Sequence, residues 1–402
     1  MTAVVAEPTV QVKAATRAVY AAFITNGFTM ASWATRIPQV RDGLDLSPSR
    51  LGLVLLAIAG GSIVSLVLAG HLVARFGSRN TVVAMAALLG VALSAVGLGY
   101  PYGVAPVVVG LFFFGFANGA WDVAMNVQGA GVEQRLGKAI MPRFHAGYSV
   151  GTVAGALAGA VAVALHVPVS AHLAVSAIAV AVIVIASVQA FLPDEVHPES
   201  PEDAARGGLR RTLETWREPR TLLIGLFVLA FAFAEGTGID WISVAMIDGY
   251  GVSATIGTLA FASFLTAMTA GRWFGPALLD RYGRVTVVRA LAAISLVGLV
   301  VFVFGPNPAT AFAGALLWGL GASLGFPVGM SAAADDPAKA AGRVSVVASI
   351  GYCAFLGGPP LIGFLGDHVT VLKGLAAVVV LLAVATAAAG AIRPLEPAQA
   401  PK

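Results

Sequence analysis

The chain presents, one after another, stretches of about 20 predominantly apolar residues, the length at which an α-helix crosses the hydrocarbon core of a bilayer. Cutting wherever polar, Pro or Gly clusters interrupt these runs gives twelve segments. They start near Ala15, Leu51, Thr81, Val104, Pro142, Val169, Thr221, Ala254, Val285, Thr310, Gly342 and Thr370. Composition excludes a soluble fold: 58% of the 402 residues are hydrophobic and 11% are charged, against about 25% charged in soluble domains. In lipid the backbone must satisfy its own hydrogen bonds, so spans of this kind are helices. The expected fold is an all-α membrane protein of twelve transmembrane helices, partnered by the lipid bilayer.

The longest polar stretch, PDEVHPESPEDAARGGLRRTLETWREPR from Pro193 to Arg220, separates the sixth and seventh segments. It divides the chain into a six-helix bundle over 1–192, a linker over 193–220 and a second six-helix bundle over 221–402. Orientation follows from Lys and Arg, which short cytoplasmic loops retain. With the N-terminus inside, 19 of the 24 basic residues fall on the cytoplasmic side, and Arg36, Arg41, Arg50 and Lys373 on or near the other. Arg272 is left within a span. Both termini are therefore expected in the cytoplasm of a bacterial cell, with the protein a monomer in the inner membrane. The net charge of +4 reflects these loops and implies no nucleic-acid partner. No cleavable signal peptide is expected, because the first apolar segment is too long for one.

Several chemistries have no support. One cysteine, Cys353, excludes a disulfide within the chain and a Cys-based metal site, and is expected to be a small buried hydrophobe. The six histidines lack metal-ligand spacing, and no G-x-x-x-x-G-K-[ST] loop occurs. Neither a metal, a cofactor nor an enzymatic activity is expected.

The halves repeat at an offset of about 205 residues. ARFGSR (Ala74 to Arg79) corresponds to DRYGR (Asp280 to Arg284), and GYSVGTVAGALAG from Gly147 to GYCAFLGGPPLIG from Gly351. Two halves of like orientation are the parallel repeat of secondary transporters, whose substrates bind near the midplane. GHLVARFGSR, from Gly70, resembles the loop motif G-x-L-x-D-R-x-G-R of the major facilitator superfamily, and PALLDRYGR from Pro276 resembles its second copy. The resemblance implies that fold, two six-helix bundles related by a pseudo-twofold axis. It also implies gating roles for Arg75, Arg79, Asp280, Arg281 and Arg284. The motif's aspartate is Ala74 in the first copy and Asp280 in the second, so a symmetric latch is in doubt.

Within the spans, polar groups are costly and mark function. In the fourth segment Gly115, Asn118, Gly119, Asp122, Asn126 and Gly129 fall on one helical stripe. Asp122 is the leading proton carrier, and Asn118 and Asn126 offer hydrogen bonds to a hydroxylated ligand; pairing of Asp122 with an Arg is the structural alternative. WDVAMN, from Trp121 to Asn126, also resembles the fourth-helix motif of the fucose:proton symporter branch. By that likeness Asp122 takes the place of the essential carboxylate and Asn126 that of its asparagine. The first segment departs from the branch: WATRIPQV, from Trp33, has Ala34 where the branch has an aspartate. Arg36 stands nearby and suggests an anionic substrate or a different coupling scheme, or else snorkels to the outer interface. Trp33 is a further candidate for substrate contact.

The seventh segment carries AEGTGIDW, from Ala234 to Trp241. Glu235 is the second candidate for proton coupling, and Gly236 and Gly238 are expected to weaken the helix around it. Asp240 lies about 140° round an intact helix from Glu235. A break would let both carboxylates, with Trp241 as a stacking face, line the site; without one Asp240 belongs to an outer gate. In PRFHAGYS, Arg143 and His145 are candidates for gating, a proton relay or pairing with Asp122, against a packing role for the histidine. Arg272 either pairs with Glu235 or another acid, or lines a vestibule. In the fifth segment GYSVGTVAGA has Thr152 where the superfamily's drug exporters have proline, which weakens an efflux reading. Gly147, Gly151, Gly155 and Gly159, four apart, indicate close helix packing.

The resulting expectation is a secondary transporter that moves a small polar, sugar-like solute by proton-coupled symport. Proton-coupled efflux of an amphipathic compound is the alternative, and a non-transporting membrane receptor or scaffold is a second.

Overall fold

A computed structural model describes residues 10–137, 140–194, 214–336 and 339–394. Most of the linker, and with it Arg206, Arg210 and Arg211, lies outside the described residues, as do Lys138 and Lys402. Among the described residues there are helices and no strand. In order they are α1 (Val10–Ala34), α2 (Ile37–Gly43), α3 (Pro48–Gly99), α4 (Val104–Leu136), α5 (Met141–Ala164), α6 (Val169–Ser187) and α7 (Pro219–Tyr250). There follow α8 (Ala254–Tyr282), α9 (Arg284–Phe304), α10 (Pro308–Ala322), α11 (Gly325–Ala333), α12 (Ala340–Val369), α13 (Val371–Gly374) and α14 (Ala376–Ala388).

The chain punctuates these helices with the residues that physics favours. Pro48, Pro142, Pro219 and Pro308 stand in first turns, where the missing N–H costs nothing and φ is preset. Asn307 and Thr310 form a reciprocal capping box at the start of α10. Gly137 and Gly251 end α4 and α7 in the left-handed conformation.

Ten of the described helices are long and apolar enough to cross a membrane. One of them, Pro48–Tyr102, is a pair of spans, since the helix breaks at Gly77 with φ 79° and ψ 158°. The 25-residue α1 is not among the ten because it is interrupted by Thr25, Asn26, Thr29 and Ser32, all buried. This inventory is consistent with twelve spans, and the helix starts fall within a few residues of the expected ones.

Contacts divide the chain into two compact units. One comprises Met1–His197 with Val252–Leu265, the other Pro198–Gly251 with Thr266–Lys402. In the first, the glycine ladder of α5 lets its backbone touch that of α1. A Cβ on Gly151 would collide with the carbonyl oxygen of Ile24, and one on Gly155 with that of Phe28, while Gly27 of α1 meets the Tyr148 carbonyl in return. α4 meets the first half of α3 the same way: a Cβ on Gly115 would strike the Ile58 carbonyl, and one on Gly61 that of Phe112. In lipid, where no solvent drives apolar helices together, such close approach supplies much of the attraction.

Two expectations need correction. α7 runs as one helix from Pro219 to Tyr250, so Gly236 and Gly238 do not break it. Gly236 instead gives room to the Phe355 ring of α12, which a Cβ would approach to 3.1 Å. Cys353 is exposed: an apolar neighbourhood in sequence does not distinguish the inward face of a membrane helix from its outward face.

Gly151→Ala is expected to destabilise the protein by about 1–3 kcal/mol by forcing α1 from α5. Gly131→Ala, where a Cβ meets nothing within 4 Å, is expected to be neutral or mildly stabilising. Thermal melting of the two purified variants distinguishes these outcomes.

Candidate functional site

The stripe expected along α4 resolves into two edges. Gly115 and Gly119 carry the packing against α3 and Gly129 meets Met141 and Phe144 of α5, while Asn118, Asp122 and Asn126, at strict intervals of four, lie beside them half-buried. The Asn126 amide donates to the Asp122 backbone oxygen at 2.8 Å and to its carboxylate Oδ1 at 3.2 Å. No cation pairs with Asp122 among the described residues. The buried amide oxygen of Asn118 and the buried amide nitrogen of Asn26, in α1, have no partner. One is an acceptor and the other a donor. Asn26 escaped the sequence reading, although a lone amide amid ITNGF is the kind of polar intrusion that marks a functional span.

In α7 the mid-span carboxylate is matched. Arg272 of α8 donates through Nη2 to both oxygens of Glu235, at 2.8 and 2.7 Å, and through Nε to the Ser323 carbonyl at 3.2 Å. Of the two roles expected of Arg272, pairing with Glu235 is the one adopted. Because α7 is continuous, Asp240 points away from this pair, is half-buried, and has no ion pair among the described residues. Trp241 is wholly buried, with its indole N–H unpartnered, and therefore presents no open stacking face. Trp33 is equally enclosed, at 2% exposure.

Arg36 does not snorkel. It is 2% exposed, and its Nε donates at 2.9 Å to Nδ1 of His172 in α6. His172 was missed from sequence, although it is an isolated histidine in the apolar run VSAHLAVSAIAV.

The expected gating residues behave unequally. Gly77 and Gly283 adopt nearly the same turn, φ 79° with ψ 158° and 155°, so the repeated loop is a repeat in geometry. Arg75, Arg79, Asp280 and Arg281 are exposed, the two turn arginines lying over their neighbours' rings, Phe76 and Tyr282. Arg143 and His145 are also exposed, the imidazole edge-on to Phe23. Carboxylates from outside the motif do the fastening. In the first unit Asp194 accepts from the Ser78 backbone N–H at 2.6 Å, its hydroxyl at 2.5 Å and the Gln128 amide at 2.8 Å. In the second, Asp335 pairs with Arg284 at 2.6 Å and Arg220 at 2.9 Å. Beside it Glu218, at the start of α7, accepts from Arg343 Nε at 2.7 Å and Thr221 Oγ1 at 2.9 Å. The Arg343 hydrogen bond holds the Glu218 carboxyl at about 2, well below its ordinary value.

Gly147 to Gly151 spells G-x-S-x-G, the serine-hydrolase elbow, but the letters lie inside α5 with Ser149 buried. That elbow requires a strand-to-helix turn that exposes the serine, so the match carries no catalysis.

Paired apolar bundles, a repeated glycine turn and polar groups set into the spans define a multi-pass membrane transporter with internally repeated halves. Residues 19–358 match the family model of the Major Facilitator Superfamily, and the chain belongs to that superfamily. It is similar to an uncharacterised transporter of Sinorhizobium fredii, 30% identical over 359 residues, 88% of this chain and 92% of the relative. In fold it is similar to a bacterial homologue of the human lysosomal transporter Spinster (TM-score 0.77, 12% identity, 97% of this chain and 100% of that one). It is also similar in fold to the Escherichia coli fucose:proton symporter (TM-score 0.66, 16% identity, 93% and 97%).

Removing one partner of the Glu235–Arg272 pair leaves a charge stranded in a span. Arg272→Met is expected to cost about 3 kcal/mol, and the double variant with Glu235→Leu to recover most of it; a double-mutant cycle in thermal stability measures the recovery. Because Glu218 titrates lower when folded, its contribution is complete above about pH 4.5 and declines as pH falls toward 2. Glu218→Gln is expected to flatten that acid limb of the stability profile.

Proposed function

We propose that the chain is a proton-coupled symporter of a small, hydroxylated, sugar-like solute, with Asp122 as the proton carrier. The observation that carries this reading is the contrast between two mid-span carboxylates: Arg272 already grips Glu235 by both oxygens, whereas Asp122 has only the amide of its own helix. A group that carries a proton across must exist charged and neutral in turn, and a carboxylate without a fixed cation changes state without stranding a partner. Glu235 then acts through its pair with Arg272, as a charge that substrate or helix movement releases. Asn118, Asn126 and the unmatched amide of Asn26 contact the solute's hydroxyls. Sugar as the solute class is suggested by the fucose:proton symporter fold and the WDVAMN likeness.

The two six-helix halves, 1–192 and 221–402, alternate access to this site, joined by the linker 193–220. The protein resides as a monomer in the bacterial inner membrane with both termini cytoplasmic, since 19 of 24 basic residues then face the cytoplasm. Arg75, Arg79, Asp280, Arg281, Arg284, Arg143 and His145 belong to the cytoplasmic gate, with Asp194 and Asp335 as its anchors.

A thermal-shift screen of hydroxylated solutes on the purified protein identifies a ligand for the decisive assay. In proteoliposomes with an entrapped pH dye, adding that solute outside is expected to acidify the lumen. Asp122→Asn is expected to abolish acidification while keeping solute binding within a few fold. Acidification unchanged in this variant overturns the assignment.

A further inference from the structure

Buried cations in proteins are paired, because an isolated charge taken out of water is far more costly than a paired one. Arg36 departs from this rule. It is 2% exposed, and no carboxylate lies within ion-pair distance among the described residues. The other buried arginine nearby in sequence, Arg41, already pairs with Asp42 at 2.7 Å. What Arg36 holds instead is an imidazole, through Nε to His172 Nδ1 at 2.9 Å.

This bond fixes the protons. A guanidinium has five N–H donors and no acceptor, so Nδ1 of His172 must be the acceptor, and the imidazole is neutral with its one N–H at Nε2. The pair thus keeps its positive charge and has further N–H donors to offer. Arg36 Nη2 and His172 Nε2 are both buried and both without a partner, while His172 itself is 8% exposed. One uncompensated positive charge and an unpartnered donor on Arg36, with no acceptor supplied by either side chain, are matched by an anion. A monoanion with acceptor oxygens fits best. Water satisfies a donor but leaves the charge, and a phosphate dianion would replace one excess charge by another. A planar carboxylate matches the fork of a guanidinium and neutralises it.

The feature is not a by-product of the repeat. At offsets of 204 to 206 residues His172 corresponds to Ala376, Ala377 and Val378, so the second half has no imidazole there.

We propose that Arg36 and His172 form a binding site for a carboxylate carried by a solute of this transporter. The assignment deepens the symporter reading by giving the polar solute an acidic group. It depends on that reading only for what carries the carboxylate, since binding is measured without transport.

The test replaces sodium chloride by sodium acetate, at constant ionic strength and pH, on the full-length protein in detergent. Acetate is expected to raise the melting midpoint saturably. Arg36→Lys, which keeps the charge and loses the fork, and His172→Ala, which loses the acceptor that holds the guanidinium in place, are each expected to weaken the apparent acetate affinity about tenfold. No saturable acetate effect in the unaltered protein overturns the site, whatever the variants do. A saturable effect undiminished in both variants overturns it too, by placing acetate elsewhere. Asp122→Asn is expected to keep the acetate response, so failure of the proton-carrier assignment and failure of this site are read separately.

Discussion

An ion in an apolar medium has to be matched, neutralised or hydrated, and in a chain with so few charged residues that constraint organises nearly everything else. Glu235 and Arg272 meet it within the second unit by pairing, with both carboxylate oxygens occupied. At the ends of the helices, Asp335 meets it by bridging Arg284 and Arg220, which ties α9 and the start of α7 to the segment after α11. Asp122 and Arg36 do not meet it with any counter-ion among the described residues. One has an amide for company and the other a neutral imidazole, and neither partner cancels a charge. The matched ions hold helices together; the unmatched ones are where the proposed proton and solute would bind.

Backbone approach follows a second constraint of the same medium. Where helices cannot be pressed together by water, they gain by dispersion and must come close. The glycines of α5 and α4 fulfil this by letting backbone meet backbone at Ile24, Phe28 and Ile58. The repeated turn at Gly77 and Gly283 shows how far the two halves share a plan and where they part. Its dihedral angles agree within a few degrees, because a positive φ of this size admits little but glycine. The carboxylates that fasten the two turns come from different places, Asp194 after α6 and Asp335 after α11. The geometry of the turn was therefore inherited by both halves, and its anchoring was not.

What could be read from the sequence was whatever depends on local pattern. The spans, their starts and the glycine ladder of α5 are statements about runs and spacings, and the helices fall where those runs place them. That Asp122 and Asn126 share one helical stripe was legible too, though the hydrogen bond between them was not anticipated. The remainder depends on residues far apart in the chain. Arg36 and His172 are 136 positions apart, and Ser78 and Asp194 are 116; no periodicity links them. The continuity of α7, which the sequence left open, turns on a related point: Gly236 looked like weakness in the helix, while the room it makes for Phe355 concerns another helix. Cys353 shows the same limit at a single site, since an apolar run is silent about which side faces out.

The asymmetry between the halves has an electrostatic consequence. Among the described residues the second unit pairs its mid-span base with an acid and leaves the acid Asp240 unpaired, whereas the first holds both an acid, Asp122, and a base, Arg36, without a counter-ion. A carboxylate bound at Arg36 and one proton bound at Asp122 together add no net charge to the protein, so the loaded and empty forms carry the same total charge. Moving an elementary charge across the membrane costs or yields about 2.3 kcal/mol per 100 mV. A cargo of one carboxylate and one proton is exempt from that work, and its accumulation would follow the pH gradient alone. A neutral sugar with one proton would instead draw on the membrane potential as well. If the cycle is proton-coupled as proposed, occupancy of the Arg36–His172 pair would determine whether the membrane potential contributes to driving it.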